Sequence, residues 1–248
     1  MSLSFLAGLA TLRFSYRILH HEDINDVGDP VQSQPSATPA IRFDRRLTDR
    51  LKTMEVLLRK YSAADVDDCV SVLAEAFVTS PLHLSAFGEG RIDQNRRFFR
   101  LGLRNMFFGH AFVALVDGAL CGYVHFKASP YCLPAPEEIP NAAATLLKPL
   151  GEAVPKFVQW FARWCHLDPQ EPHVHLGPIG VAPRMQRQGI GTALMNRYIE
   201  QLEQERTMGY LETDRPANVD FYKKFGFIVT HEEMVIGART WYMRRPLG

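Results

Sequence analysis

Gly189 and Gly191 open the segment GIGTALMNRYIEQLEQERT, in which Ile190, Leu194, Tyr198 and Leu202 recur at helical spacing. Glycine in a helix interior costs about 1 kcal/mol relative to alanine, so two at the start of an apolar helix need a reason. Their neighbours are Arg184, Gln186, Arg187 and Gln188. The first N–H groups of a helix lack intrahelical acceptors, and the helix dipole adds positive potential there. Phosphate oxygens fit that position when no side chain stands in the way. A helix start that merely needs flexible residues would explain one glycine. Two at alternate positions beside arginines favour an anion site.

Two common phosphate motifs fit poorly. A P-loop needs GxxxxGK[ST], and no such lysine follows these glycines. A dinucleotide fingerprint needs GxGxxG directly after a strand, whereas Leu194 takes the third position and APRMQR intervenes. Glu212 stands roughly where a ribose-binding acid would be, which keeps a dinucleotide enzyme as a rival reading. His173 and His175 alternate on one strand like a metal pair. No third ligand stands at suitable spacing, so they are expected to be solvent or cleft-edge histidines, with no metal bound.

The bulk properties narrow the classes. With 248 residues, 46% of them hydrophobic, the chain can bury a sizeable core. Lys and Arg number 28 against 27 Asp and Glu, a balance that argues against a nucleic-acid binder. No apolar run approaches the ~18 residues of a membrane span. Cys69, Cys121, Cys132 and Cys165 lie far apart with no CxxC, which suits reduced thiols in a cytoplasmic-type compartment. Residues 1–20 contain Arg13, Arg17 and serines but no acid, a weak organellar-targeting signature. Residues 1–53 as a whole are expected to be a flexible extension, and 54–248 the working domain.

Within that domain the sequence predicts strand EVLLRKY, then a helix opening at Ser62 or Asp65 and carrying Val66, Val70, Leu73 and Phe77. A second helix follows in RIDQNRRFFRLGLRNMFFG. AFVALVDG and ALCGYVHFKAS read as a hairpin turning at Asp117-Gly118. A proline-rich insert over about 130–172 holds one helix around Phe157 to Cys165. Then come strand HVHLGPIGV, the glycine-led helix, strand YLETD, short helix PANVDFYKKF and the strands FIVTHEEMVI and RTWYMRRP. The order β-α-α-β-β-(insert)-β-α-β-α-β-β gives one α/β domain with a mixed sheet.

Gln186-x-x-Gly189-x-Gly191, GPIGVAP and LETDRPANVDFYKKFGF together resemble the GCN5-related N-acetyltransferases (GNAT). Within that family HLGPIGVAP, LETDRPANVDFY and GARTWYMRRP are most like the puromycin N-acetyltransferase branch. The likeness runs from about Glu55 to the C-terminus and is most specific in the last third. It implies a central sheet of about seven strands flanked by helices, with strands four and five splayed into a cleft. It also implies that Gln186, Arg187, Gln188, Gly189, Ile190, Gly191 and Thr192 hold the pyrophosphate of acetyl-CoA. Ile179, Gly180 and Val181 would pair with pantetheine, with a β-bulge at Gly180 and Val181. Asn218 would bond the pantetheine arm, and Tyr222 would be the general acid facing the CoA sulfur.

Alternation in YLETD puts Tyr210 and Glu212 on one face, so Glu212 is the candidate base for the amine proton, directly or through water, with a structural ion-pair partner as the alternative. Taken alone, Asn218 could cap its short helix and Phe221-Tyr222 could be core aromatics. Tyr131, Phe157, Trp160, Phe161 and Trp164 of the insert are core residues by spacing, some of which could line an apolar pocket. The expected function is acetyl transfer from acetyl-CoA to the primary amine of a small, hydrophobic molecule by direct transfer. Protein lysine or N-terminal acetylation and a non-catalytic acyl-CoA-binding module are the alternatives. No nucleic acid or membrane partner is expected, and a homodimer is allowed.

Overall fold

The computed structural model describes residues 55–130, 132–133 and 144–247. The extension over 1–53, Tyr131 and part of the insert lie outside the described residues. Seven strands form one sheet: β1 (Leu57–Lys60), β2 (His110–Val116), β3 (Ala119–Ala128), β4 (His173–Val181), β5 (Met208–Thr213), β6 (Ile228–Val235) and β7 (Ala238–Arg245). Their spatial order is β1-β2-β3-β4-β5-β7-β6. Among the described residues only the β4–β5 pair is parallel, and the long crossover between them is helix α5 (Ile190–Glu205).

Five further α-helices lie among the described residues: α1 (Val66–Phe77), α2 (Pro81–Phe87), α3 (Ile92–Asn105), α4 (Val154–Leu167) and α6 (Pro216–Lys223). Helix α2 is an element that periodicity does not reveal, because it is only seven residues long. Its signals are Pro81 in the first turn and Gly88 just past the end. The start of α1 follows its sequence signal. Ser62 N and Oγ both donate to Asp65 Oδ2, and Arg59 grips the same carboxylate at 2.7 Å from both sides. Among the described residues no single helix is long and apolar enough to cross a membrane.

The sheet divides the core into two. On one face Leu194, Met195, Tyr198 and Leu202 of α5 pack on Phe126, Val174, Leu176 and Leu211. On the other, Leu73 of α1, Phe98 and Phe99 of α3, and Phe157 and Trp160 of α4 pack on Val113 and Tyr123. The predicted insert helix is thus real and is part of this second core. Arg163 of α4 makes a two-pronged ion pair with Glu233 of β6 at 2.8 and 2.7 Å, and Tyr242 Oη donates to the same carboxylate at 2.6 Å. These bonds tie α4 across the far strands and set it as a wall of the cleft.

Candidate active site

Pairing between β4 and β5 covers only His173–His175 against Met208–Tyr210. Beyond His175 the two strands part, and the edge of β4 from Leu176 to Val181 has no β5 partner. The splayed cleft that the sequence implies is present. The bulge is elsewhere than expected. Gly180 and Val181 pair regularly with Tyr123 and Gly122, and the extra residue falls three positions earlier. Gly177 and Pro178 there oppose the single residue His125, between the Val124–Ile179 and Phe126–Leu176 pairs. Proline cannot donate a ladder hydrogen bond, which favours a bulge at that point. Gly180 has a different reason to be glycine: a Cβ would come within 2.9 Å of Leu73 Cδ2 on α1.

The loop after β4 shows why two glycines open α5. Gly189 sits at the N-cap with φ +83°, a left-handed conformation that a β-branched residue adopts only with strain. A Cβ on Gly189 would meet nothing within 4 Å, so the surface above the helix end is clear. One on Gly191 would touch only Phe221, at 3.6 Å. The first intrahelical bond runs from Ala193 N to Gly189 O, which leaves the N–H groups of Ile190, Gly191 and Thr192 without helix acceptors. Gln186 Nε2 donates to Val181 O at 3.0 Å and Gln188 Nε2 to Arg184 O at 3.2 Å, so both glutamines brace the loop. Arg187 also has positive φ and is exposed, as are Arg184 and Thr192. The Ile190 side chain is buried in the core, so only its N–H faces outward.

Two connected cavities fill the cleft. The smaller, about 220 Å³, is lined by Gly180, Gln186, Arg187, Gly191 and Phe221. The larger, about 510 Å³, runs beneath α4 between Phe98, Phe99, Phe107, Trp160, Phe161 and Trp164. Ile179, Asn218, Tyr222, Ser80 and Asp214 line both. Tyr222 is thus at the junction; burial, aided by the Asp214 charge, raises its pKa and keeps the phenol protonated. Asn218 is not the cap of α6, a place taken by Arg215; its Nδ2 donates to Thr213 Oγ1 at 3.1 Å.

Glu212 enters the larger cavity beside Tyr210's face of β5, as the alternation of YLETD predicts. Its side chain is 1% exposed. His175 Nε2 lies 2.7 Å from Glu212 Oε2, while Oε1 has no hydrogen-bond partner among the described residues. The other cavity carboxylate, Asp214, accepts from Ser80 Oγ and Leu82 N, both on Oδ2. Periodicity gives no hint of Ser80, Asp214, His83 or His125, the further polar groups on these walls. His83 is stacked on Phe99 and edge-on to Trp160, and its Nδ1 faces Asn95 Oδ1 at 2.6 Å. Burial pushes the His83 pKa down to about 4, and that of His125 likewise.

His173 and His175 are buried, not exposed at a cleft edge. The fold also brings them the donors that linear spacing lacks, Cys132 and Asp168. Burial opposes charge on both imidazoles, but acidic neighbours outweigh it: Asp168 lifts His173 to about 9, and Glu212 and Asp168 lift His175 well above its usual range.

The sequence profile of the acetyltransferase (GNAT) family matches residues 79–227, which include the glycine loop, Glu212 and Tyr222. Three solved structures share the fold. An HPA2-type histone acetyltransferase and related acetyltransferase from Corynebacterium glutamicum is 19% identical with a TM-score of 0.59, over 79% of this chain and 98% of that one. The Drosophila melanogaster polyamine N-acetyltransferase, which forms N-acetylagmatine, is 14% identical with a TM-score of 0.57, over 78% and 100%. An agmatine N-acetyltransferase is 15% identical with a TM-score of 0.57, over 77% and 99%. A parted β4–β5 pair, a glycine-led α5 and a profile match over more than half its length establish that this chain belongs to the acetyltransferase (GNAT) family.

Proposed function

We propose that this protein transfers the acetyl group of acetyl-CoA to the primary amine of a small, hydrophobic molecule, directly within a ternary complex. The observation that carries this reading is that the buried Glu212 carboxylate, with Oε1 unpartnered among the described residues, and the protonated Tyr222 line one cavity with aromatic walls. The free N–H groups of Ile190, Gly191 and Thr192, with Arg187 beside them, would hold the pyrophosphate. The unpaired edge of β4 at Ile179–Val181, with Asn218 opposite, would align the pantetheine arm. Glu212 would accept the ammonium proton, directly or through water, and Tyr222 would return a proton to the departing thiolate.

The amine class follows from the walls. Polycationic amines call for several carboxylates. Among the described residues only two acids line the larger cavity, Glu212 and Asp214, and each already holds partners on one oxygen: His175 on Glu212 Oε2, Ser80 and Leu82 on Asp214 Oδ2. The segments most like the puromycin N-acetyltransferase branch support the same class, and puromycin belongs in the first panel.

Calorimetry with acetyl-CoA, CoA and NAD tests the nucleotide half. Acetyl-CoA and CoA should bind and NAD should not; the reverse outcome would return the dinucleotide reading. A panel of aromatic amines, polyamines and peptides tests the acceptor half. Turnover confined to polyamines or to protein lysines would overturn the hydrophobic-amine assignment, and none at all would favour a non-catalytic module.

A further inference from the structure

Four donors of differing chemistry meet beside the larger cavity. Cys132 comes from the segment after β3, Asp168 from the end of α4, and His173 and His175 from β4. One ligand atom from each lies within 4.8 Å of all the others. Cys132 Sγ is 3.3 Å from Asp168 Oδ2 and 3.4 Å from His173 Nε2. Asp168 Oδ1 is 3.3 Å from His173 Nε2 and 3.4 Å from His175 Nδ1.

Mutual hydrogen bonding leaves this cluster unsatisfied. Asp168 Oδ1 and His175 Nδ1 are buried with no hydrogen-bond partner among the described residues. Buried polar atoms of that kind call for an explanation. The outward nitrogens of both rings are already held: His173 Nδ1 lies 2.9 Å from Glu171 O, and His175 Nε2 lies 2.7 Å from Glu212 Oε2. With a proton on each outward nitrogen, the lone pairs of His173 Nε2 and His175 Nδ1 point at the cluster. Metal-binding histidines are oriented in this way, by a carbonyl or carboxylate behind the ring.

We propose that Cys132, Asp168, His173 and His175 bind one Zn²⁺ ion, fastening the segment after β3 and the end of α4 to β4. Bonds of about 2.0–2.3 Å in a tetrahedron separate neighbouring ligand atoms by about 3.3–3.8 Å. The spacings of Asp168 to the other three donors and of Cys132 to His173 are 3.3–3.4 Å, and with all four donors within 4.8 Å of one another small side-chain rotations close the rest. Thiolate with two imidazoles suits Zn²⁺ far better than Mg²⁺ or Ca²⁺. Four protein ligands close the coordination sphere, as in structural zinc sites. The ion would also lie one imidazole away from Glu212, fixing that carboxylate from behind.

The rival use of these residues is Cys132 as an acyl-accepting nucleophile. A Cys-His-Asp relay needs an imidazole that bridges thiol and carboxylate with its two nitrogens. His173 is no such bridge, since its Nε2 faces both groups and its Nδ1 is engaged by a main-chain carbonyl. His175, which holds Glu212 with Nε2, is the imidazole that could relay, and an acetyl adduct on Cys132 is the outcome that would select this use.

The full-length protein, stripped with a chelator and titrated with Zn²⁺ alone, should take up about one ion per chain and melt at a higher temperature. Co²⁺ in its place should give the intense visible bands of a tetrahedral ion and a thiolate charge-transfer band. Cys132→Ser should abolish the charge-transfer band, and Asp168→Asn should remove most of the zinc-induced rise in Tm. Each should weaken zinc binding by more than the ~10–100-fold that loss of an outer partner costs. Should either variant fail to fold, the wild-type cobalt spectrum decides alone. No uptake at micromolar Zn²⁺, an octahedral cobalt spectrum, or an acetyl adduct on Cys132 after mixing with acetyl-CoA would overturn the proposal. None of these readouts depends on transfer to an amine.

Discussion

At its glycine-loop end the cleft is bordered by Gln186, Arg187 and Gly191 of one continuous loop, beside Gly180 of β4 and Phe221 of α6. At its aromatic end the wall takes Phe77 from α1, Phe98 and Phe99 from α3, and Trp160, Phe161 and Trp164 from α4. The first end is exposed and contributes little to the core: Arg184, Gln186, Arg187, Gln188 and Gly189 all face solvent. The second is the core, since Phe98, Phe99 and Trp160 are buried in the same cluster as Leu73 and Tyr123. Changes at one end should therefore alter binding with little effect on stability, while changes at the other should alter both. Tyr222 and Asn218 stand where the two meet.

The largest effect is expected at that junction. Tyr222→Phe removes the acid while keeping the ring, so kcat should fall by about 10²–10⁴-fold. Acetyl-CoA affinity and Tm should hardly move, and an acyl donor whose leaving group needs no proton should narrow the deficit. Wild-type turnover in this variant would leave Tyr222 as a core aromatic.

Next in size is Trp160→Ala at the aromatic end. Deleting a buried indole should cost about 3–5 kcal/mol of stability and weaken the amine, with acetyl-CoA affinity kept in the molecules that remain folded. Denaturant unfolding with parallel calorimetry reads both. An unchanged unfolding midpoint would break the claim that wall and core are one.

The same end should make the protein acid-sensitive. His83 and His125 have folded pKa values near 4, against about 6.5 for an unfolded histidine. Asp214 and Arg215 act on His83, and His175, Lys127 and His110 on His125. The unfolded chain takes up protons first, so the stability present above pH 6.5 is lost as the pH falls towards 4. Each imidazole contributes on the order of 3 kcal/mol to that loss. Urea midpoints at pH 7 and pH 5 measure it. His125→Gln keeps an N–H donor for Phe108 O and should flatten the acid limb; an unaltered limb would assign it to other groups.

Smaller still is Gly189→Val, which forces a branched Cβ onto a left-handed residue and crowds the helix end. Loss of one or two charge-assisted hydrogen bonds should weaken acetyl-CoA about 10–100-fold, with Tm nearly kept. Unchanged affinity in a folded variant would move the phosphate site elsewhere. The smallest effect is expected from starting the chain at Met54, which should leave acetyl-CoA affinity as it is. A truncated chain that fails to fold would show that residues 1–53 pack on the domain.

The sequence was most informative where function is local. Arg184 to Thr192 could be read as an anion site because the loop's conformation is set by Gly189 itself and by glutamines bonding within five residues. Strand alternation placed Glu212 on the cavity side for the same reason. Gly180 shows the limit. As a glycine in a strand it suggested a bulge, yet it answers to Leu73 on α1, while Gly177-Pro178 carries the bulge beside His125.

Apart from the short α2, the order of strands and helices, the glycine-led helix and the carboxylate of YLETD were determined by the sequence alone, because hydrophobic period, turn chemistry and backbone freedom act between near neighbours. Only the tertiary structure decided which aromatics wall the cavity, which oxygen of Glu212 is free, and that Cys132 and Asp168 join His173 and His175. Those outcomes depend on how α4 packs across the sheet and how a long insert returns to β4. Contacts between residues tens of positions apart leave no period in the chain that carries them.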